Sequence, residues 1–423
     1  MLLRFSMYGF LKNQRYFEPF LFLALIEKGM TFAEIGLLIG LRELTINLLS
    51  VPMGAVADVM GRRRSLIFSF GMYVLSFAVL GLTSSFTALA AGMGLFAVGE
   101  SFRSGTHKAM IFEWLASQGR TSEKTRVYGY TRSWSKRGSA VSVLIAAAVV
   151  LWTDRYTDVF LLCALPYALG TLNLLSYPAW LDGTRSEGAS VRVIAATLRQ
   201  GIGDALQSGP LRRLLAESMT FEGTFKVVKG YLQPLLESVA LALPLLVGLG
   251  DRRRTAVVVA AVYAVLHWLG GQASRGADGV ARRAGSQERA AGWLWSAQLA
   301  LFVAMAGALL LGLPAWAALG FVALAVIQDT WRPLMITRID DHAAAARQVT
   351  ILSVEAQAQS LFAAIAAPLV GVAVDALAGR MRFLPVTGLG IAASVAVLWL
   401  RRAWAGTPPV RGGSDVATSS TLT

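Results

Sequence analysis

The run from Ser65 to Leu82, SLIFSFGMYVLSFAVLGL, contains no charged residue, and neither does the run AVSVLIAAAVVLW from Ala140 to Trp152. A helix needs roughly 20 mostly apolar residues to cross the hydrocarbon core of a bilayer. Runs of this kind recur along the whole chain. Only 15% of the 423 residues are charged and 55% are hydrophobic, against about 25% charged in a soluble domain. The polar surface that a water-soluble shell needs is missing. A transmembrane β-barrel would show alternating segments of about 10 residues, and these are absent. The fold class is therefore an all-α polytopic membrane protein.

Gly, Pro and charged residues punctuate twelve helical segments. Helices one to six are expected near 5–27, 32–57, 65–83, 86–115, 126–152 and 155–181; helices seven to twelve near 212–236, 255–275, 289–312, 315–341, 348–374 and 382–404. The polar stretch from Leu181 to Pro210 divides them. This gives an N-terminal six-helix bundle over 1–181, a central loop over 182–210, a C-terminal six-helix bundle over 211–405 and a tail over 406–423. The tail is rich in Gly, Pro, Ser and Thr, a composition that favours disorder.

The net charge is +14. In a soluble protein it would suggest nucleic acid; here the cations gather in loops and set orientation. Arg62–Arg64, Arg120/Lys124/Arg126, Arg185/Arg192/Arg199 and Arg282/Arg283/Arg289 fall on one side, which places both termini in the cytoplasm. The sequence is expected in the bacterial inner (plasma) membrane, without nucleic-acid partners. The cluster Arg252–Arg254 violates the bias and is expected in a structured external loop. No small-residue cleavage site follows Arg4, so the first segment should stay as an anchor. Cys163 is the only cysteine, which excludes an intramolecular disulfide and a thiolate metal site.

One short signature is duplicated. Asp58, Gly61, Arg62 and Arg63 recur as Asp278, Ala281, Arg282 and Arg283, 220 residues later (278 − 58), each at the end of the second helix of its half. Parallel internal repeats mark transporters in which two bundles rock about a central site. The chain resembles the major facilitator superfamily in its twelve segments, its central loop and the motif G-x-x-x-D-x-x-G-R-R at Gly54, Asp58, Gly61, Arg62 and Arg63. The resemblance implies two pseudo-symmetric six-helix bundles. It also implies that Asp58 and Arg62 form a latch closing the cytoplasmic gate, with Glu113 as relay partner. Two departures weaken assignment to the drug–proton antiporter branch. Helix four offers no Arg before Arg103, and helix five, GYTRSWSKRGSAVSVL, lacks the branch's Gly-Pro.

Charges at membrane depth are costly and normally face a cavity or a partner. Helix one carries Lys12, Arg15 and Glu18; helix four carries Glu100, Arg103 and His107 on one face; helix five carries Arg132, Lys136 and Arg137. Helix seven shows Glu222, Lys226, Lys229 and Gln233 as one stripe, helix ten Gln328, Asp329 and Arg332, and helix eleven Glu355. In the resembled family, helices one, four, seven and ten line the central cavity. The competing reading is local pairing, Arg15–Glu18, Glu100–Arg103 and Asp329–Arg332, while Lys12, Lys108 and Arg338 near helix ends can snorkel.

Enzyme motifs are missing. The stretch DGVAR at Asp278 is one residue short of the phospholipid-synthesising D-G-x-x-A-R pattern, and H-E-x-x-H, G-x-S-x-G and G-x-x-x-x-G-K-S/T do not occur. The resemblance implies a monomeric secondary transporter without cofactor, moving a small-molecule solute by alternating access, with protons as a candidate coupling ion. Arg is suited to carboxylate or phosphate, so a small organic anion is the expected substrate and Glu222 or Glu100 the expected proton carrier. The alternatives are efflux of cationic or neutral amphiphiles and a non-transporting receptor or scaffold.

Overall fold

The computed structural model describes residues 1–103, 106–182, 208–244, 246–342 and 348–405, with isolated positions between 196 and 207. The expected tail lies outside the described residues, as does most of the expected central loop. The described residues hold helices and no strand.

Helical segments stand at all twelve expected positions. The N-terminal half contains Leu2–Lys12 with Leu21–Glu27, then Phe32–Met60, Arg62–Leu82, Phe86–Arg103 with Thr106–Ser117, Lys124–Thr153 and Asp158–Leu175. The C-terminal half contains Gly209–Val228 with Leu232–Ala242, then Asp251–Ala284, Gln287–Leu310, Pro314–Asp340, Gln348–Asp375 and Leu384–Ala405. Among the described residues, eight helices are long and apolar enough to cross a membrane. Local chemistry sets several ends. Thr31 and Glu34 form a reciprocal capping box at the start of helix two, which satisfies two otherwise orphaned backbone donors. Gly61 turns between helices two and three at φ +96°, a conformation that side chains disfavour.

Helix one departs from the continuous span expected over 5–27. It breaks after Lys12 and resumes as a short 3-10 turn at Glu18–Phe20. Pro19 lacks an amide donor and disfavours α conformation at the residue before it. Tyr167 Oη donates to the freed Lys12 carbonyl at 3.1 Å, and Gln14, within the break, anchors it to helix five by donating Nε2 to the Gly138 carbonyl at 3.2 Å. Helix seven is likewise interrupted, at Lys229–Tyr231.

The same pairings occur in both halves, displaced by six helices. Helix one packs on five as seven packs on eleven; two on four as eight on ten; three on four as nine on ten; three on six as nine on twelve. The chain therefore folds as two six-helix bundles related by a parallel repeat. The bundles meet along helices two and eleven and along helices five and eight.

The two ends of this interface differ. At the end carrying residues 28–31, a side chain on Gly36 or Gly371 would collide with the backbone of the facing helix, at Ala367 and Phe32 respectively. Asp375 accepts from the amides of Phe32 at 3.2 Å and Ala33 at 2.6 Å. The cluster Arg252–Arg254 lies at this end. It is not the loop expected from sequence but the first turn of helix eight, which begins at Asp251. Its charges are all engaged: Arg252 pairs with Glu27 at 3.0 Å and Arg253 with Asp154 at 3.7 Å. Arg254 donates to the carbonyls of Ala240 at 3.0 Å and Leu243 at 2.6 Å, closing the last turn of helix seven. Toward the opposite end, which carries Gly61, Asn47 Nδ2 donates to the Gln357 carbonyl at 2.6 Å across the bundles, and beyond it Ser50, Gly54, Thr350 and Ser353 line a cavity.

Candidate functional site

A cavity of about 1280 Å³ lies between the bundles. Its lining reaches Gly54 and Thr350 at the Gly61 end and stops at Phe22, Leu232 and Gln233 toward the other. The broken part of helix one forms its floor. Gln233 of helix seven holds that break across the bundle boundary. Its Oε1 accepts from the Phe22 amide at 2.8 Å, and its Nε2 donates to the Glu18 carbonyl at 2.8 Å and to Tyr263 Oη at 3.2 Å. Irregular backbone at membrane depth persists only where protein or a cavity satisfies it, and broken helices mark binding sites in transporters. Gln233→Leu should therefore leave both backbone groups unpaired, each costing about 1–3 kcal/mol. A thermal unfolding midpoint equal to wild type would refute that assignment.

The charges on the cavity wall are arranged in pairs. Glu100 accepts from Tyr73 Oη at 2.6 Å, contacts Arg103, and lies 3.5 Å from Arg15. Glu43 of helix two sits between Arg42 at 2.9 Å and Lys226 of the other bundle at 3.3 Å. Lys226 also donates to Ser360 Oγ at 3.0 Å. Glu18 faces Lys229 at 3.9 Å. Lys108, Lys136 and Asp329 line the wall and make no ion pair among the described residues.

The residues singled out from sequence separate into three places. Arg15, Glu18, Glu100, Lys226 and Asp329 line the central cavity. Arg103, His107 and Arg132 line a second cavity of about 390 Å³ between helices one, four and five. Glu222, Arg332 and Glu355 line neither. Glu355, with no exposure, accepts from Arg332 at 2.5 Å, Gln359 at 3.0 Å and the Ser218 hydroxyl, which ties helices seven, ten and eleven together. Glu222 meets the Gln328 amide at 3.1 Å.

Of the local pairs considered from sequence, Glu100–Arg103 forms, whereas Arg15 and Arg332 take partners from other helices. Arg338 does not snorkel. It is 3% exposed and pairs with Glu217 at 2.9 Å and Glu288 at 2.6 Å. Sequence reasoning passed over Arg42 and Glu43, although the charged pair in GLRELTINLL stands at membrane depth. It also passed over Glu217.

At the Gly61 turn, Arg62 pairs with Glu113 at 2.6 Å, Arg63 donates to the Tyr177 carbonyl at 2.6 Å, and Arg64 lies 3.7 Å from Asp182. All these contacts are within the N-terminal bundle. The side chain of Asp58 lies outside the described residues. The second copy is built differently: Asp278, Arg282 and Arg283 belong to helix eight itself, Asp278 contacts Arg282 one turn away, and the chain turns only at Gly285, φ +76°.

A family model described as Major Facilitator Superfamily matches residues 13–360. No curated protein matches significantly. Among solved structures, the nucleoside transporter NupG is similar at a TM-score of 0.75 and 10% identity, covering 96% of this chain and 99% of its own. A POT family transporter in complex with a thioalcohol conjugated peptide is similar at a TM-score of 0.68 and 14% identity, covering 95% and 96%. A peptide transporter POT in complex with sulfate is similar at 0.66 and 12%, covering 95% and 94%.

Proposed function

This chain belongs to the major facilitator superfamily, a transporter and not an enzyme, and we propose that it carries a small organic anion by alternating access. The observation that supports the anion is the charge inventory of the central cavity. Glu18, Glu43 and Glu100 already face cations, while Lys108 and Lys136 on the same wall have no carboxylate within ion-pair distance among the described residues. Unpaired cations at membrane depth are costly, and an anionic solute would offset that cost.

The loop Arg bias supports a cytoplasmic Gly61 end, and the cavity lining that reaches Gly54 and Thr350 supports an inward-facing state. Reporters fused after Asp182 and after Arg402 should then read as cytoplasmic, and one after Gly250 as external. A cytoplasmic reading at Gly250 would overturn this orientation. In the same state the motif arginines are held inside their own bundle by Glu113 and Asp182. Closure of the cytoplasmic side would bring Asp58 and Arg62 against the other bundle as the latch. Of the two carboxylates considered as proton carriers, Glu222 is favoured. Glu100 is compensated by two guanidinium groups and a phenol, whereas Glu222 has only an amide at hydrogen-bond distance among the described residues.

A second reading, efflux of cationic amphiphiles, is supported by Asp329, the wall carboxylate without an ion pair among the described residues. Flux measured in proteoliposomes with radiolabelled carboxylates and with lipophilic cations tests both. Carboxylate uptake that falls at least tenfold in Lys136→Gln is the expected result. Transport of cations alone, lost in Asp329→Asn, would replace the anion reading with the second, and no flux of any solute would favour a receptor or scaffold.

A further inference from the structure

The second cavity, between helices one, four and five, has a lining unlike that of the central one. Lys12, Arg103, Lys108, Arg132 and Lys136 surround it, and no Asp or Glu is among its lining residues. Arg103 is compensated from behind by Glu100; Lys12, Lys108, Arg132 and Lys136 have no ion pair among the described residues. A second feature lies in the same wall. Tyr8 lines the chamber, is 3% exposed, and its hydroxyl has no hydrogen-bond partner, while its ring stacks on His107 at 3.7 Å. A buried hydroxyl without a partner is costly, and like charges gathered around one chamber without counter-charge repel one another. One bound oxyanion relieves both.

We propose that this chamber, which shares Lys108 and Lys136 with the wall of the central cavity, is a phosphate-binding site. A single carboxylate would compensate one of these four cations. A phosphate group brings up to two charges and at least three strong acceptor oxygens, which matches a cluster of cations plus a phenolic donor. The Arg132 guanidinium can take two of those oxygens at once. The volume, about 390 Å³, corresponds to roughly a dozen waters at about 30 Å³ each, room for a phosphate and a small substituent. Arg132 and Lys136 are exposed, so the group can arrive as free phosphate or as a phospholipid headgroup.

The test uses the full-length protein, delipidated in neutral detergent, titrated calorimetrically with inorganic phosphate against chloride at equal ionic strength. Tyr8→Phe keeps the stacked ring, and Arg132→Gln changes an exposed side chain, so neither threatens the fold. Saturable phosphate binding that weakens about tenfold in Arg132→Gln and severalfold in Tyr8→Phe, but is unchanged in the central-cavity variant Lys226→Gln, is expected. Vesicles of phosphatidic acid that displace phosphate assign the lipid headgroup as source; failure to displace it assigns free phosphate. Absence of phosphate binding to the wild type, or binding equal in wild type and both chamber variants, would overturn the proposal. A loss confined to Lys226→Gln would place phosphate in the central cavity and overturn it equally.

Discussion

Glu217→Gln is expected to destabilise the C-terminal bundle by about 3–5 kcal/mol, the cost of breaking a buried ion pair from one side. Glu217 is 0% exposed and receives three arginines: Arg338 at 2.9 Å, Arg401 at 2.7 Å and Arg213 at 2.9 Å. These come from helices ten, twelve and seven. Glu288 of helix nine approaches the same group, 2.6 Å from Arg338 and 3.2 Å from Arg401. Three guanidinium groups thus share two carboxylates. Glutamine keeps the volume of Glu217 but leaves one carboxylate for three cations, and Arg338, 3% exposed, has no water to turn to. Glu288→Gln removes the same formal charge at a site 47% exposed, where solvent screens the loss, and should cost about 1 kcal/mol or less. Thermal unfolding of the two variants in one detergent checks the ordering. Equal losses would mean that the network is held by packing and not by the buried charge.

That network shows where reading the sequence stops. The depth rule for charges finds residues such as Arg15, Arg332 and Glu355, because an apolar run makes each stand out. It does not say which helix supplies the partner. Arg15 and Glu18 look like neighbours three positions apart, but that spacing has meaning only in a continuous helix, and helix one is broken between them. Asp329 and Arg332 are on a continuous helix, yet one lines the cavity while the other turns to Glu355 of helix eleven. Glu100 and Arg103 satisfy both conditions, continuity and a shared face, and they pair.

Helix one itself illustrates the same limit. Pro19 is plain in the sequence, but a membrane helix can pass a proline with only a kink when neighbours take up the freed backbone groups. The full break is fixed by Gln233, 215 residues away, and no local pattern encodes that meeting. Helix positions, by contrast, depend only on runs of apolar residues, and they were legible throughout to within a few residues at most ends. Helix eight is the exception at both ends: it runs to Ala284 where 275 is expected, and its early start at Asp251 follows from chemistry invisible to hydropathy. Its first turn is charged, and those charges belong to the helix because Glu27, Asp154 and the carbonyls ending helix seven receive them.

Gly371→Val should abolish transport while leaving the protein folded, because it acts on one conformational state and not on the fold. Helices two and eleven approach so closely near residues 28–31 that a side-chain carbon on Gly371 would overlap the Phe32 carbonyl, and one on Gly40 would lie 2.7 Å from the Ala364 carbonyl. Those obstacles are backbone, which cannot rotate aside. The valine would also pull Asp375 from the Phe32 and Ala33 amides that it caps. Overpacking of this kind costs about 1–3 kcal/mol, and here only the state closed at this end bears it. A state open at this end separates the two helices and escapes the clash. Such a difference shifts the balance between states about 5- to 150-fold. A carrier needs both states in each cycle, so the variant should be held open at the 28–31 end. Ile35, beside Gly36 and 0% exposed, reports on this directly. Cys163, the only native cysteine, is buried, so Ile35→Cys supplies a single reactive site. Its modification by a membrane-impermeant maleimide should be slow in the otherwise wild-type protein and at least fivefold faster with Gly371→Val. Slow labelling in both backgrounds, together with undiminished flux, would show that the glycine contact is incidental and that closure of this end rests on the Arg252–Glu27 and Arg253–Asp154 pairs instead.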